Sequence, residues 1–118
     1  MRWDYSDEYD DRIQETSDWL PIENYKELQA RSGVYIFADN YFDVQYIGKA
    51  GAGRMIVEEA ENEVSKMLFE IYSAIYRKKD FNATQVIVFY TNSDDIALAL
   101  EGELIKKYSP ANNGKQML

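Results

Sequence analysis

Apolar residues fall along this chain in two distinct rhythms, and the changes of rhythm mark its elements. Residues 1–20 carry only a weak helical spacing, with Tyr5, Tyr9, Ile13 and Leu20 set among acids, so the pattern leaves their order open. After Pro21 the stretch Ile22–Ala30 reads as a short helix with Tyr25 and Leu28 on one face, stopped before Gly33. Gly33–Ala38 and Val44–Ile47 are short apolar runs separated by Asp39-Asn40-Tyr41-Phe42-Asp43, whose Asp and Asn favour turns, which predicts a β-hairpin. From Ile56 the spacing becomes helical: Ile56, Ala60, Val64, Met67, Leu68, Ile71 and Ile75 form one stripe, with Glu58, Glu59, Glu61, Glu63 and Glu70 assigned to the opposite face. Arg77-Lys78-Lys79 places cations at the carboxyl end, as the helix dipole favours. Thr84–Thr91 is β-branched and aromatic, a third strand expected at the sheet centre, and Ser93-Asp94-Asp95 caps a final helix running to about residue 108 before Ser109-Pro110.

Helix, strand, strand, long helix, strand, helix predicts an α+β fold: a small three-stranded antiparallel sheet flanked by helices. Its expected division is an acidic amino-terminal extension with a short helix over 1–31 and one domain over 32–118. No apolar run approaches the roughly 20 residues needed to cross a bilayer, and the start does not read as a signal peptide, so a cytoplasmic location is expected.

Composition narrows the chemistry. With no cysteine and no histidine, disulfides, thiolate nucleophiles, serine-histidine relays and ordinary zinc sites are excluded. The net charge is −8; residues 1–20 hold seven acids against two arginines, leaving −5 there and −3 over the rest. That segment is either a solvated acidic extension or one that covers a basic site or recruits a protein partner.

Three features strain a purely structural account. On the last helix Glu101 shares a face with Leu104, Ile105 and Tyr108, and a carboxylate on an apolar stripe is costly unless paired, hydrogen-bonded or bound to metal. Gly48-Lys49-Ala50-Gly51-Ala52-Gly53-Arg54 has neither the spacing of a phosphate-binding P-loop nor that of a dinucleotide fingerprint; a tight turn, or an anion held at a helix amino end, remains. Tyr35 and Tyr46 fall on adjoining strands of the hairpin and so within reach of one site.

The ordered set Gly33-Val34-Tyr35, Tyr46-Ile47-Gly48-Lys49, Arg54, Glu101 and Asn113 resembles the GIY-YIG nuclease family, represented among homing endonucleases, restriction enzymes and excision-repair nucleases. The likeness covers about residues 32–113. It implies a metal-dependent endonuclease hydrolysing phosphodiester bonds in DNA, with one Mg²⁺ or Mn²⁺ held by Glu101 as sole protein ligand, consistent with the hard-oxygen preference of those ions. Tyr35 would be general base or proton relay and Tyr46 would position or assist the attacking water. Gly48, Lys49 and Arg54 would face the phosphate, and Asn113 would hold a phosphate, a water or the hairpin. A tyrosine acting as base near neutral pH needs its pKa lowered by about three units from 10. Lys49 and Arg54 stand closer together than is usual in the family, and Glu58 occupies a position where it often has His or Tyr. The alternative implied function is a nuclease-derived module that binds nucleic acid or protein without cutting. Convergence of Tyr35, Tyr46, Arg54 and Glu101 on one cleft separates the two, and an Arg54 in solvent favours the second.

Overall fold

A computed structural model describes residues 1–51, 54, 56–65 and 82–115 of the chain. The hairpin is present as β3 (Gly33–Ala38) and β4 (Val44–Ala50), antiparallel, with Tyr35 opposite Gly48 and Phe37 opposite Tyr46. Between Phe37 and Ala38 the register shifts, so that Gln45 is bulged out and Val44 turns to the other face. β5 (Gln85–Tyr90) pairs antiparallel with β3.

The sheet has five strands rather than the expected three, because β1 (Glu15–Thr16) and β2 (Leu20–Pro21) both pair antiparallel with the outer edge of β5. Two-residue strands carry no alternation from which to read them; they exist because β5 offers an edge. β5 is therefore an inner strand, but β3 takes the middle of the expected trio and β4 lies at the open edge.

Alternation along the strands sorts their side chains onto two faces. Tyr35, Phe37, Tyr46, Val86, Val88 and Tyr90 pack beneath Ile22, Leu28 and a helix α1 whose described part is residues 56–65, through Ile56, Ala60 and Val64. The remainder of the predicted long helix, from Met67 onward and including Arg77-Lys78-Lys79, lies outside the described residues. The opposite face, with Val34, Ile36, Ile47, Ile87 and Phe89, packs on α2 (Asp94–Tyr108) through Ala97, Leu100, Leu104 and Tyr108. α2 begins at Ser93, whose hydroxyl accepts from the Ile96 amide at 3.2 Å, and ends at Ser109 in the left-handed region. A short α3 (Ala111–Lys115) follows. Ile22–Glu27 is a 3-10 helix, three residues shorter than the helix expected to reach Ala30.

The acidic first segment folds back onto this second face. Trp3 is buried, stacked on Tyr108 at 5.2 Å and close to Phe89, and its indole donates to Glu8 at 2.9 Å. Lys107 donates to Asp4 and Asp7 at 3.0 and 2.8 Å, Arg12 pairs with Asp10 and Glu103, and Arg31 pairs with Glu15 at 3.1 Å. These acids are thus matched to cations inside the molecule. Among the described residues no helix is long and apolar enough to cross a membrane.

Truncating Trp3→Ala removes the aromatic that joins the amino terminus to α2 and is expected to cost about 3–5 kcal/mol of stability. Urea denaturation measures this, and a loss below about 1 kcal/mol would show that the segment is dispensable to the core.

Candidate active site

The centre of the site is a tyrosine pair placed by strand register. Tyr35 and Tyr46 lie on the same face with ring centroids 6.2 Å apart, and Phe37 fills the remaining side of the trio. Tyr35 reaches toward the β4 edge across Gly48. A Cβ added at Gly48 would stand 2.5 Å from both Cζ and the hydroxyl oxygen of Tyr35, so no other residue fits there without moving the ring. Gly48 thus holds a place for Tyr35, which is a different use from contacting substrate directly.

Burial sets the proton affinities. Tyr35 is almost fully buried, and desolvation, followed by Tyr46 and the carboxylates of Glu63, Glu59 and Glu101, drives its pKa up. Tyr46 is raised too, chiefly by desolvation and then by Glu63 and Glu101. The direction is opposite to the lowering that a free tyrosinate base requires. Both phenols keep their protons at neutral pH and act as hydrogen-bond donors, which fits a relay and not an isolated base.

Glu101 projects from α2 to the same edge. It is half-buried, which raises its pKa, while the nearby Lys49 ammonium pulls the other way. It makes no hydrogen bond or ion pair with the described residues, in contrast to Glu103 two positions on, which points outward to Arg12. Among the described residues no three acids gather as a metal cage. A cation at Glu101 would therefore have one protein ligand among the described residues, with room for water or phosphate oxygens, an arrangement that Mg²⁺ tolerates because it releases water reluctantly. The carboxylate fits that role: it is a hard oxygen donor, unmatched among the described residues, and near enough to both tyrosines to help raise their pKa.

Arg54 is not drawn into the pair. Its side chain is 54% exposed and joins Glu59 at 3.1 Å, while its amide closes a turn on the Gly51 carbonyl at 2.9 Å. Lys49 acts on Glu101 and Arg54 on Glu59; neither is among the groups acting most strongly on the tyrosines. Asn113 clamps the edge strand, since its amide nitrogen donates to the Ile47 carbonyl at 2.6 Å and its oxygen accepts from the Ile47 amide at 2.9 Å. Of the three roles considered for it, holding the hairpin is the one this geometry fills.

The residue that sequence reasoning misplaced is Glu63. Assigned to the solvated face of the long helix, it is instead 6% exposed and hydrogen-bonded to Tyr46. Its position seven after Ile56 and three after Ala60 puts it on the apolar stripe, the same signal that singled out Glu101.

The family model described as the UvrC-like GIY-YIG domain matches residues 31–114. The chain is similar to the UvrABC system protein C of Clostridioides difficile (strain 630), 33% identical over an alignment 98 residues long that covers 77% of this chain but 14% of that protein. It spans only that small part of the relative. No solved structure matches.

Two outcomes test the site. Asn113→Ala removes both bonds to the Ile47 peptide and should cost roughly 1–3 kcal/mol, with faster hydrogen exchange at the Ile47 amide; unchanged exchange would contradict the clamp. Glu101→Gln removes a carboxylate whose folded pKa is raised, so wild type and variant are equally stable below the unfolded value of about 4.5 and the variant gains as pH rises through the folded pKa. Denaturation at pH 7 and pH 4 should therefore show a stabilised variant only at the higher pH.

Proposed function

From the premise that the chain belongs to the UvrC-like GIY-YIG domain family, a family of nuclease domains, we propose that it is a divalent-metal-dependent endonuclease hydrolysing phosphodiester bonds in DNA. The observation that carries this reading is the buried tyrosine pair beside Gly48, with the Glu101 carboxylate, unmatched among the described residues, at the same strand edge. A packing role accounts for the tyrosine rings but not for a half-desolvated carboxylate that is unmatched among the described residues.

Glu101 holds one Mg²⁺ or Mn²⁺. When bound, the cation polarises the phosphate and offsets developing charge. The tyrosine hydroxyls orient a water against phosphorus by hydrogen bonding. Lys49, beside Glu101, supplies positive charge toward the phosphate, and Arg54 adds a planar fork for its oxygens. Arg54 must leave Glu59 to do so, which costs little because an exposed ion pair contributes at most about 1 kcal/mol. Asn113 acts as a positioning residue by fixing the Ile47 peptide next to Tyr46.

The Arg54–Glu59 pair is also the specific observation behind a second reading, a nuclease-derived module that binds nucleic acid or a partner without cutting. The acids of the amino terminus lend little to a partner, since Asp4, Asp7, Asp10 and Glu15 are matched internally.

Supercoiled plasmid incubated with Mg²⁺ or Mn²⁺ is the test. Nicking by the wild type and a fall of roughly a thousandfold in Glu101→Gln, equivalent to several kcal/mol of lost metal assistance, are expected. No nicking across metals and pH, or equal nicking by the variant, selects the binding module.

A further inference from the structure

Behind the tyrosine pair lies a carboxylate for which the proposed site has as yet no use. Glu63 comes from α1, is buried, and accepts a hydrogen bond from the Tyr46 hydroxyl. An ionised carboxylate can only accept, and a phenol has one hydrogen. Once Tyr46 donates to Glu63, its oxygen can take part in a second bond only as acceptor, and Tyr35 is the group bonded to it. The hydrogen bonds therefore run in one direction: Tyr35 donates to Tyr46, and Tyr46 donates to Glu63. Tyr35 has then spent its proton inward, so the lone pairs left on its oxygen, which lies against the backbone of Gly48, can take part in a further bond only as acceptors.

We propose that Glu63 is a positioning residue and the terminal proton acceptor of the site, acting through Tyr46 and Tyr35 on the water that attacks phosphorus. The inference rests on the nuclease reading for the water and on hydrogen-bond geometry for the relay. In the step, the water's O–H bond breaks as its oxygen bonds to phosphorus. The released proton passes to Tyr35 while Tyr35 gives its own to Tyr46 and Tyr46 its own to Glu63. The bond from phosphorus to the leaving oxygen breaks, and that oxygen takes a proton from solvent. Two tyrosines that retain their protons can in this way serve a deprotonation without either becoming a free tyrosinate. Among the described residues, the charged and titratable groups acting on the pair are Glu59 and Glu63 from α1 and Glu101 from α2, with Lys49 of β4 acting on Glu101.

Two readouts on the full chain separate the hydrogen-bond geometry from the activity. Tyrosine labelled with ¹³C at Cζ gives one resonance per residue, assigned with Tyr35→Phe and Tyr46→Phe. Glu63→Gln is expected to move the Tyr35 resonance as well as that of Tyr46, and Tyr46→Phe, which keeps the ring, to move Tyr35 likewise; a Tyr35 signal unmoved by both overturns the ordered relay. In single-turnover nicking, Glu63→Gln is expected to be about a hundredfold slow at pH 7, to recover as hydroxide rises, and to add nothing to Tyr46→Phe in the double variant. Equal rates at every pH, or losses that simply multiply, overturn the relay. If the wild type itself does not nick, the nuclease reading and the relay fall together, while the labelled tyrosines still decide whether Glu63 orders the pair.

Discussion

Pairing Tyr35 with Gly48 across the β3–β4 hairpin is the constraint on which the rest of this protein depends. Strand side chains alternate, so a slip of one residue would send Tyr35 and Tyr46 to opposite faces and place Ile36 or Ile47 where a hydroxyl is needed. The correct register does three things together. It sets the two phenols side by side, it opens a gap over Gly48 that the Tyr35 ring occupies, and it leaves Ile47 facing α2. The hydrophobic sorting of the strands enforces that register, because Val34, Ile36 and Ile47 bury beneath α2 only in this alignment. Core packing and site geometry are one requirement here, not two.

The two edges of the sheet are handled differently, and the difference locates the site. On the β5 side, residues 15–21 add two short strands and close the edge. On the β4 side no strand is added among the described residues; Met1 accepts from the Val44 amide at 2.9 Å where β4 begins, and further along Asn113 satisfies the Ile47 peptide with both halves of its amide. An unpaired edge normally invites aggregation and is commonly covered or charged. This one carries Lys49 and stands beside Glu101, so it remains open to a ligand. The acidic amino terminus, far from shielding that opening, packs through Trp3 against Phe89 and Tyr108 and exchanges its charges with Lys107, Arg12 and Arg31.

Much of this was legible in the residues. The hairpin followed from two apolar runs around a turn-forming segment, and α2 from a Ser cap and a Ser-Pro stop. Glu101 stood out through one helical wheel. What was not legible has physical reasons. β1 and β2 are two residues each, too short for any period, and owe their form to the β5 edge. Asn113 lies in a polar tail whose partner is a peptide group, which no side-chain pattern reveals. Glu63 was visible in principle, three positions from Ala60 and one from Val64, but a run of neighbouring glutamates made it read as one more member of a solvated face. Arg54 had the right order in sequence, yet a turn and a nearby Glu59 decide where a guanidinium rests.

The site therefore consists of a buried, proton-retaining tyrosine pair between two carboxylates with different surroundings. Glu63 is enclosed and hydrogen-bonded; Glu101 is half-open and unmatched among the described residues. Assigning a proton to the first and a cation to the second accounts for both. The cation is the central claim, and anomalous scattering from Mn²⁺-soaked crystals tests it most directly. One peak within metal–oxygen bonding distance of the Glu101 carboxylate, lost in Glu101→Gln crystals, is the predicted result. A well-ordered Glu101 with no peak beside it at millimolar Mn²⁺, or a cation held elsewhere, would contradict the account.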